Sequence, residues 1–119
     1  FITGKAGETY LHNSSLEAVY PIAPFSREAM VKCLPGCMPM WRKSIHEDIG
    51  DFEAKYKSAG DWDMWLRCVD SGFLFKRIPH NLGLYYMNPE GLSTSLKHSE
   101  DRLREESEIF NKYKHRPMP

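Results

Sequence analysis

The run Ala59-Gly60-Asp61-Trp62-Asp63-Met64-Trp65-Leu66-Arg67, continuing to Gly72, constrains this chain more than any other stretch. Drawn as a helix, it puts Trp62, Leu66 and Val69 on one stripe and Met64, Trp65 and Cys68 on another. Only Asp63, Arg67 and Asp70 are left for a polar stripe. A helix this apolar is buried on most sides. Asp63 stands four residues before Arg67, the spacing of a stabilising ion pair. Gly72 suits the position just past the helix end. Asp61 opens the element, where a carboxylate matches the free N–H groups and the positive end of the helix dipole. The spacing leaves two readings of Asp61 open. It is a helix cap, or it is a carboxylate held at the edge of a cleft and available as a general base.

The rest of the chain reads as short elements. Residues 1–24 are irregular, punctuated by Gly4, Gly7, Asn13, Ser14 and Ser15 and closed by Pro21 and Pro24. Ser26 and Glu28 open a short helix that Pro35-Gly36 ends. An apolar strand or extended edge segment is expected at 37–41, and a short helix at 43–49 stopped by Gly50. Phe73 to Ile78 and Leu82 to Met87 read as two strands, broken by Pro79. Asn88 to Gly91 is a turn, and the hydroxyl cluster 93–95 suits a cap. The longest helix spans about 98–113. Leu96, Leu103, Phe110 and Tyr113, joined by Ile109, make its apolar stripe, and the mixed charges between them suit a solvated face. Helices interleaved with strands imply an α/β class.

At 119 residues the chain is one domain or part of one. Its 16 basic residues balance its 16 acidic ones, so no nucleic-acid groove is indicated. No apolar run approaches the ~20 residues of a membrane span. The opening Phe-Ile-Thr-Gly-Lys lacks Met and suggests a piece of a longer protein. Cys68 reads as a small buried hydrophobe. Cys33 and Cys37 flank Leu-Pro-Gly at a spacing unlike a zinc knuckle. A disulfide or a metal site there stays open beside reduced thiols, the cytosolic default.

In order and spacing, several phrases between 38 and 95 resemble the second half of inverting family-two glycosyltransferases of GT-A fold. They are Met40-Trp41-Arg42-Lys43, Ile49-Gly50-Asp51-Phe52, the Gly60 to Arg67 block, Gly72-Phe-Leu-Phe with Ile78-Pro79, and Leu84-Tyr-Tyr-Met-Asn-Pro89 with Ser93. The resemblance implies a partial GT-A-like α/β domain. Residues 25–95 would be its acceptor and base half and 96–114 a long C-terminal helix. Asp61 matches the catalytic base. Trp41, Arg42, Trp62, Asp63 and Asn88 would bind substrate, with core packing the other reading of both tryptophans. Tyr86 and Asn88 depart from the Arg and His that the family often carries there.

The same resemblance implies a nucleotide-sugar donor, a carbohydrate or lipid-linked acceptor, and a bacterial role in polysaccharide synthesis. The cytoplasm, at the inner face of the membrane, is the implied location. A divalent Mg or Mn ion belongs with the family's donor half, which this chain lacks. Asp61-Trp62-Asp63 falls in the base segment and is not read as that metal motif, so no metal is expected on these residues. Alone, the chain should be inactive in transfer. It should also self-associate through the edge and apolar surface where a second half would dock. The alternative from another class is a non-catalytic protein-interaction module on the same half scaffold.

Overall fold

The computed structural model describes residues 2–3, 15–16, 24–33, 35–36, 38–80, 88–92 and 95–114. Three α-helices order them: α1 (Ile45–Ile49), α2 (Gly60–Asp70) and α3 (Ser99–Tyr113). Single 3-10 turns at Glu28–Val31 and Leu96–His98 complete the set.

The central run forms α2 and is buried as its composition demands. Trp62, Met64, Trp65, Leu66, Cys68 and Val69 lie in the core with Met30, Tyr56, Ile109 and Tyr113. Its C-terminus closes as a Schellman motif. Gly72 takes φ 85°, its N–H bonds the Val69 carbonyl, and the Phe73 N–H reaches back to Cys68. Arg27 adds a bond from its guanidinium to the Val69 carbonyl at 3.2 Å. Gly50 likewise ends α1 with φ 79°. In the 24–33 segment the Ser26 hydroxyl accepts the Ala29 N–H. Trp62 Nε1 donates to the Met30 carbonyl at 2.9 Å and ties that segment to α2.

The expected α/β class, a partial GT-A-like sheet, is corrected here. Helix makes up 48% of the residues described from Pro24 onward, and no strand is found among them. The β pairing among the described residues joins Ile2–Thr3 to Ser15–Leu16, antiparallel, with Ile2 opposite Leu16. Two residues a side make no layer for helices to pack on. Residues 73–78 carry no regular structure and join no ladder. Their alternation is real but serves another purpose: Phe73 and Phe75 pack on the core while Leu74 and Ile78 stand exposed. The Phe75 ring meets Trp65 of α2 at 6.0 Å. A helix surface thus takes the face that was expected to build a sheet. Residues 38–42 likewise carry no strand. The second expected strand, 82–87, lies outside the described residues.

Helix α3 is held to α2 by two buried carboxylates. Asp63 has no exposed surface. Its Oδ1 accepts from Lys112 Nζ at 2.9 Å and from the Tyr113 hydroxyl at 3.0 Å, and its Oδ2 pairs with Arg67 Nε at 3.2 Å. The rest of the Arg67 guanidinium donates to the carbonyls of Ile49 and Asp51, fixing the end of α1. Glu105 of α3 reaches the segment before α2 and accepts the N–H groups of Lys57, Ser58 and Ala59 at 2.7, 2.8 and 2.9 Å. Ala59 is the residue preceding α2, so a carboxylate from another helix satisfies its entry.

The expected apolar stripe of α3 is therefore rotated. Glu105, Ile109 and Tyr113 face inward, while Leu96, Leu103 and Phe110 are exposed.

Removing one partner of such a network strands the others. Asp63→Ala is expected to cost about 3–5 kcal/mol in a urea titration, whereas Asp101→Ala, at the exposed pair with Arg104, costs under about 1 kcal/mol. Glu105 carries a pH signature. Burial alone would raise its pKa, but the three backbone N–H groups outweigh that and hold it below the ordinary 4.5. A lowered carboxylate stabilises the fold above its ordinary pKa and loses that contribution as pH falls through the native value. The urea midpoint should drop below pH 4.5, and part of that acid-limb slope should vanish in Glu105→Gln.

Candidate functional site

Successive residues on a helix point about 100° apart, so positions 61 and 63 project on nearly opposite sides. With Asp63 turned into the core, Asp61 is turned out. It lines an open cleft of about 940 Å³. Three segments build that cleft. Asp61 and Trp62 come from the first turn of α2, with Ser58 and Ala59 before them. Val31, Lys32 and Cys33 form a second side. The third side is α3, through Arg102, Leu103, Glu106, Ser107, Phe110 and Asn111.

Asp61 is not the cap of α2; that position belongs to Ala59, and Asp61 sits in the first turn. Its Oδ1 accepts the N–H of Trp62 at 2.8 Å. Its Oδ2 meets the Cys33 thiol at 3.5 Å, a long and weak contact. One oxygen is thus pinned to the backbone and the other faces the cleft with a replaceable partner. Cys33 keeps an exposed edge, but desolvation of its sulfur in the cleft and the negative Asp61 push its thiol up to about 12. At neutral pH Cys33 is a protonated donor rather than a nucleophile. Cys37, the other half of the Cys-x3-Cys reading, lies outside the described residues.

The other residues singled out in the sequence divide sharply. Trp62 lines the cleft beside Asp61, although the residue is 93% buried and its N–H is engaged by Met30. Asp63 lies in the core with both oxygens occupied. Trp41 is not in the cleft. It packs in an aromatic nest, edge-on to Trp65 at 5.0 Å and near Phe52 at 6.3 Å. Its Nε1 donates to His46 Nε2 at 3.1 Å, which assigns the His46 proton to Nδ1, facing the Gly50 carbonyl. Arg42 is exposed and away from the cleft lining. Asn88 is exposed and closes its own turn, its Oδ1 accepting the Glu90 N–H at 3.0 Å.

The cleft face of α3 divides two sequence readings. Leu103 and Phe110 are expected in the apolar core stripe, and Arg102 and Glu106 on a solvated face. The structure brings all four to one cleft instead. Phe110 is about half exposed in the cleft, far more open than Trp62. No group of three or more metal-ligating side chains gathers among the described residues. Asp61 and Asp63 do not fit a shared cation, because Asp63 is sealed and saturated. No helix among the described residues is long and apolar enough to cross a membrane.

No protein-family model, curated protein or solved structure matches this chain.

The Asp61–Cys33 contact predicts slow alkylation. Cys33 should react sluggishly with iodoacetamide through pH 9 despite its exposed edge. Asp61→Asn removes the negative neighbour and should speed the reaction, read by mass spectrometry of the peptide containing Cys33. Equal rates in the two proteins would place the thiol away from the carboxylate.

Proposed function

We propose that this chain is the acceptor-side, base-bearing part of a nucleotide-sugar-dependent inverting glycosyltransferase. The observation that carries the reading is the placement of Asp61: a single carboxylate on a rigid helix start, one oxygen held, the other facing an open cleft. The phrases between 38 and 95 support it independently. The reading does not depend on a sheet, and the described residues between 38 and 95 form none.

In this reading an acceptor hydroxyl displaces the Cys33 thiol from Asp61 Oδ2. The carboxylate takes the hydroxyl proton as the oxygen attacks the anomeric carbon. The new carbon–oxygen bond forms as the bond to the nucleotide diphosphate breaks, so the diphosphate leaves with its electron pair and the anomeric centre inverts. A fixed carboxylate suits the step because positioning matters as much as basicity. The residues that hold the donor and its divalent ion belong to a part of the enzyme outside this chain. Nothing in the cleft here is assigned to them.

A second reading rests on a different observation. Met40, Leu74 and Leu96 are 94%, 79% and 89% exposed, apolar side chains that a non-catalytic interaction module would cover with its partner.

The full-length protein decides between them. Against a panel of labelled uridine and guanosine diphosphate sugars, Asp61→Asn is expected to lose about 10²–10⁴-fold in turnover with donor affinity kept, the span of a general base. A loss below tenfold, or no transfer by the unaltered protein, overturns the catalytic reading.

A further inference from the structure

The third side of the cleft carries chemistry that the sugar-transfer reading has not used. Helix α3 presents neighbouring faces with separate tasks. Glu105, Ile109, Lys112 and Tyr113 engage α2 and the segment before it. Rotated by about a third of a turn, Leu103, Glu106, Phe110 and Asn111 line the cleft that Asp61 opens into. Leu103 and Phe110 are 60% and 49% exposed there, apolar area left in water beside polar neighbours.

The cleft's charges cancel. Lys32 and Arg102 oppose Asp61 and Glu106, and Cys33 adds none. A phosphate or polyanion would want a basic surplus, and a polycation an acidic one. A balanced cleft with spread donors and acceptors, an amide and an open aromatic ring suits an uncharged, hydroxyl-rich ring. The C–H face of a pyranose carries slight positive charge and suits the negative face of an aromatic ring. Its hydroxyls both donate and accept, which matches Glu106 as acceptor, Arg102 as donor and Asn111 as either.

We propose that the cleft face of α3 is the acceptor-recognition surface. A neutral pyranoside packs on Phe110 and Leu103 and bonds its hydroxyls to Glu106, Asn111 and Arg102, in the same cleft as Asp61. This rests on the sugar-transfer reading for the word acceptor, but not for the binding itself. It also moves recognition away from Trp41, Arg42 and Asn88, none of which lines the cleft.

Two measurements on the full-length protein test it. The first needs no activity. Methyl glycosides of neutral pyranoses are titrated while the amide resonances of 102–111 are followed, with inorganic phosphate as the competing probe. The glycosides should shift those resonances, and Phe110→Ala should abolish the shifts while Phe110→Tyr keeps them. Shifts with phosphate but not with glycosides, or none at 102–111, overturn the proposal.

The second measurement is kinetic. Phe110→Ala and Asn111→Ala should each raise acceptor KM by about fivefold, the worth of one contact, with donor KM unchanged. The two failures are separable. If Asp61→Asn abolishes turnover while the α3 variants leave acceptor KM alone, this inference falls and the transfer reading stands. If glycosides map to 102–111 but Asp61→Asn keeps its turnover, the surface stands as a sugar site and the transfer reading falls.

Discussion

A carboxylate with no exposed surface must find its compensation inside the protein, because the water it lost is worth several kcal/mol. Asp63 finds it on two helices at once. Lys112 and Tyr113 come from α3, and Arg67 comes from its own helix one turn on. Arg67 is not a local partner only, since its remaining donors hold the carbonyls at 49 and 51. One buried charge therefore sets how α3 lies on α2 and how the α1 segment meets both. Apolar packing alone would let these short helices slide, since hydrophobic contact has no direction. Here the direction comes from hydrogen bonds with fixed geometry.

Glu105 does the complementary job from the other end. Its carboxylate gathers three successive N–H groups immediately before α2. The side chain of the residue before a helix normally does this work; Ala59 has no such group, and Asp61 in the first turn takes only the Trp62 N–H. A distant helix has taken the role, which makes the beginning of α2 conditional on α3. The isolated segment 57–70 would lack its cap as well as its core.

This explains which parts of the molecule could be read in advance. The extent of α2, its glycine terminus, the Gly50 stop, the Asn88 turn and the span of α3 all follow from local chemistry: periodicity, glycine φ freedom and capping hydroxyls. The face of α3 could not be read that way. Its inward side includes a glutamate, a residue almost never fully buried unless its oxygens are satisfied. The partners that satisfy it lie some 46 to 48 residues away in sequence. The sheet failed for a related reason. The alternation at 73–78 marks a segment with one face on the core, and alternation is silent on whether the neighbour is a strand or a helix. Asp61 was legible as an acid at the helix start. Its cleft was not, because two of the three sides come from segments remote in sequence. Trp41 and Trp62 were open between substrate contact and core packing; packing puts one in an aromatic nest and leaves the other nearly sealed at the cleft rim.

The two buried carboxylates also bracket position 61. Glu105 fixes residues 57–59, Asp63 fixes 63, and Asp61 lies two positions from either anchor. Both anchors end on α3, whose adjoining face is the far side of the cleft. The carboxylate and the surface across from it are therefore parts of one rigid unit rather than two elements that must find each other. In such a unit the side chains at 103, 110 and 111 can change with little effect on those at 105, 109 and 112, because the two sets lie at least about 100° apart around one helix. Selectivity for what enters the cleft can then drift while the placement of the acid stays fixed. A loop-built cleft would couple the two, since any change in the loop would move whatever it carries.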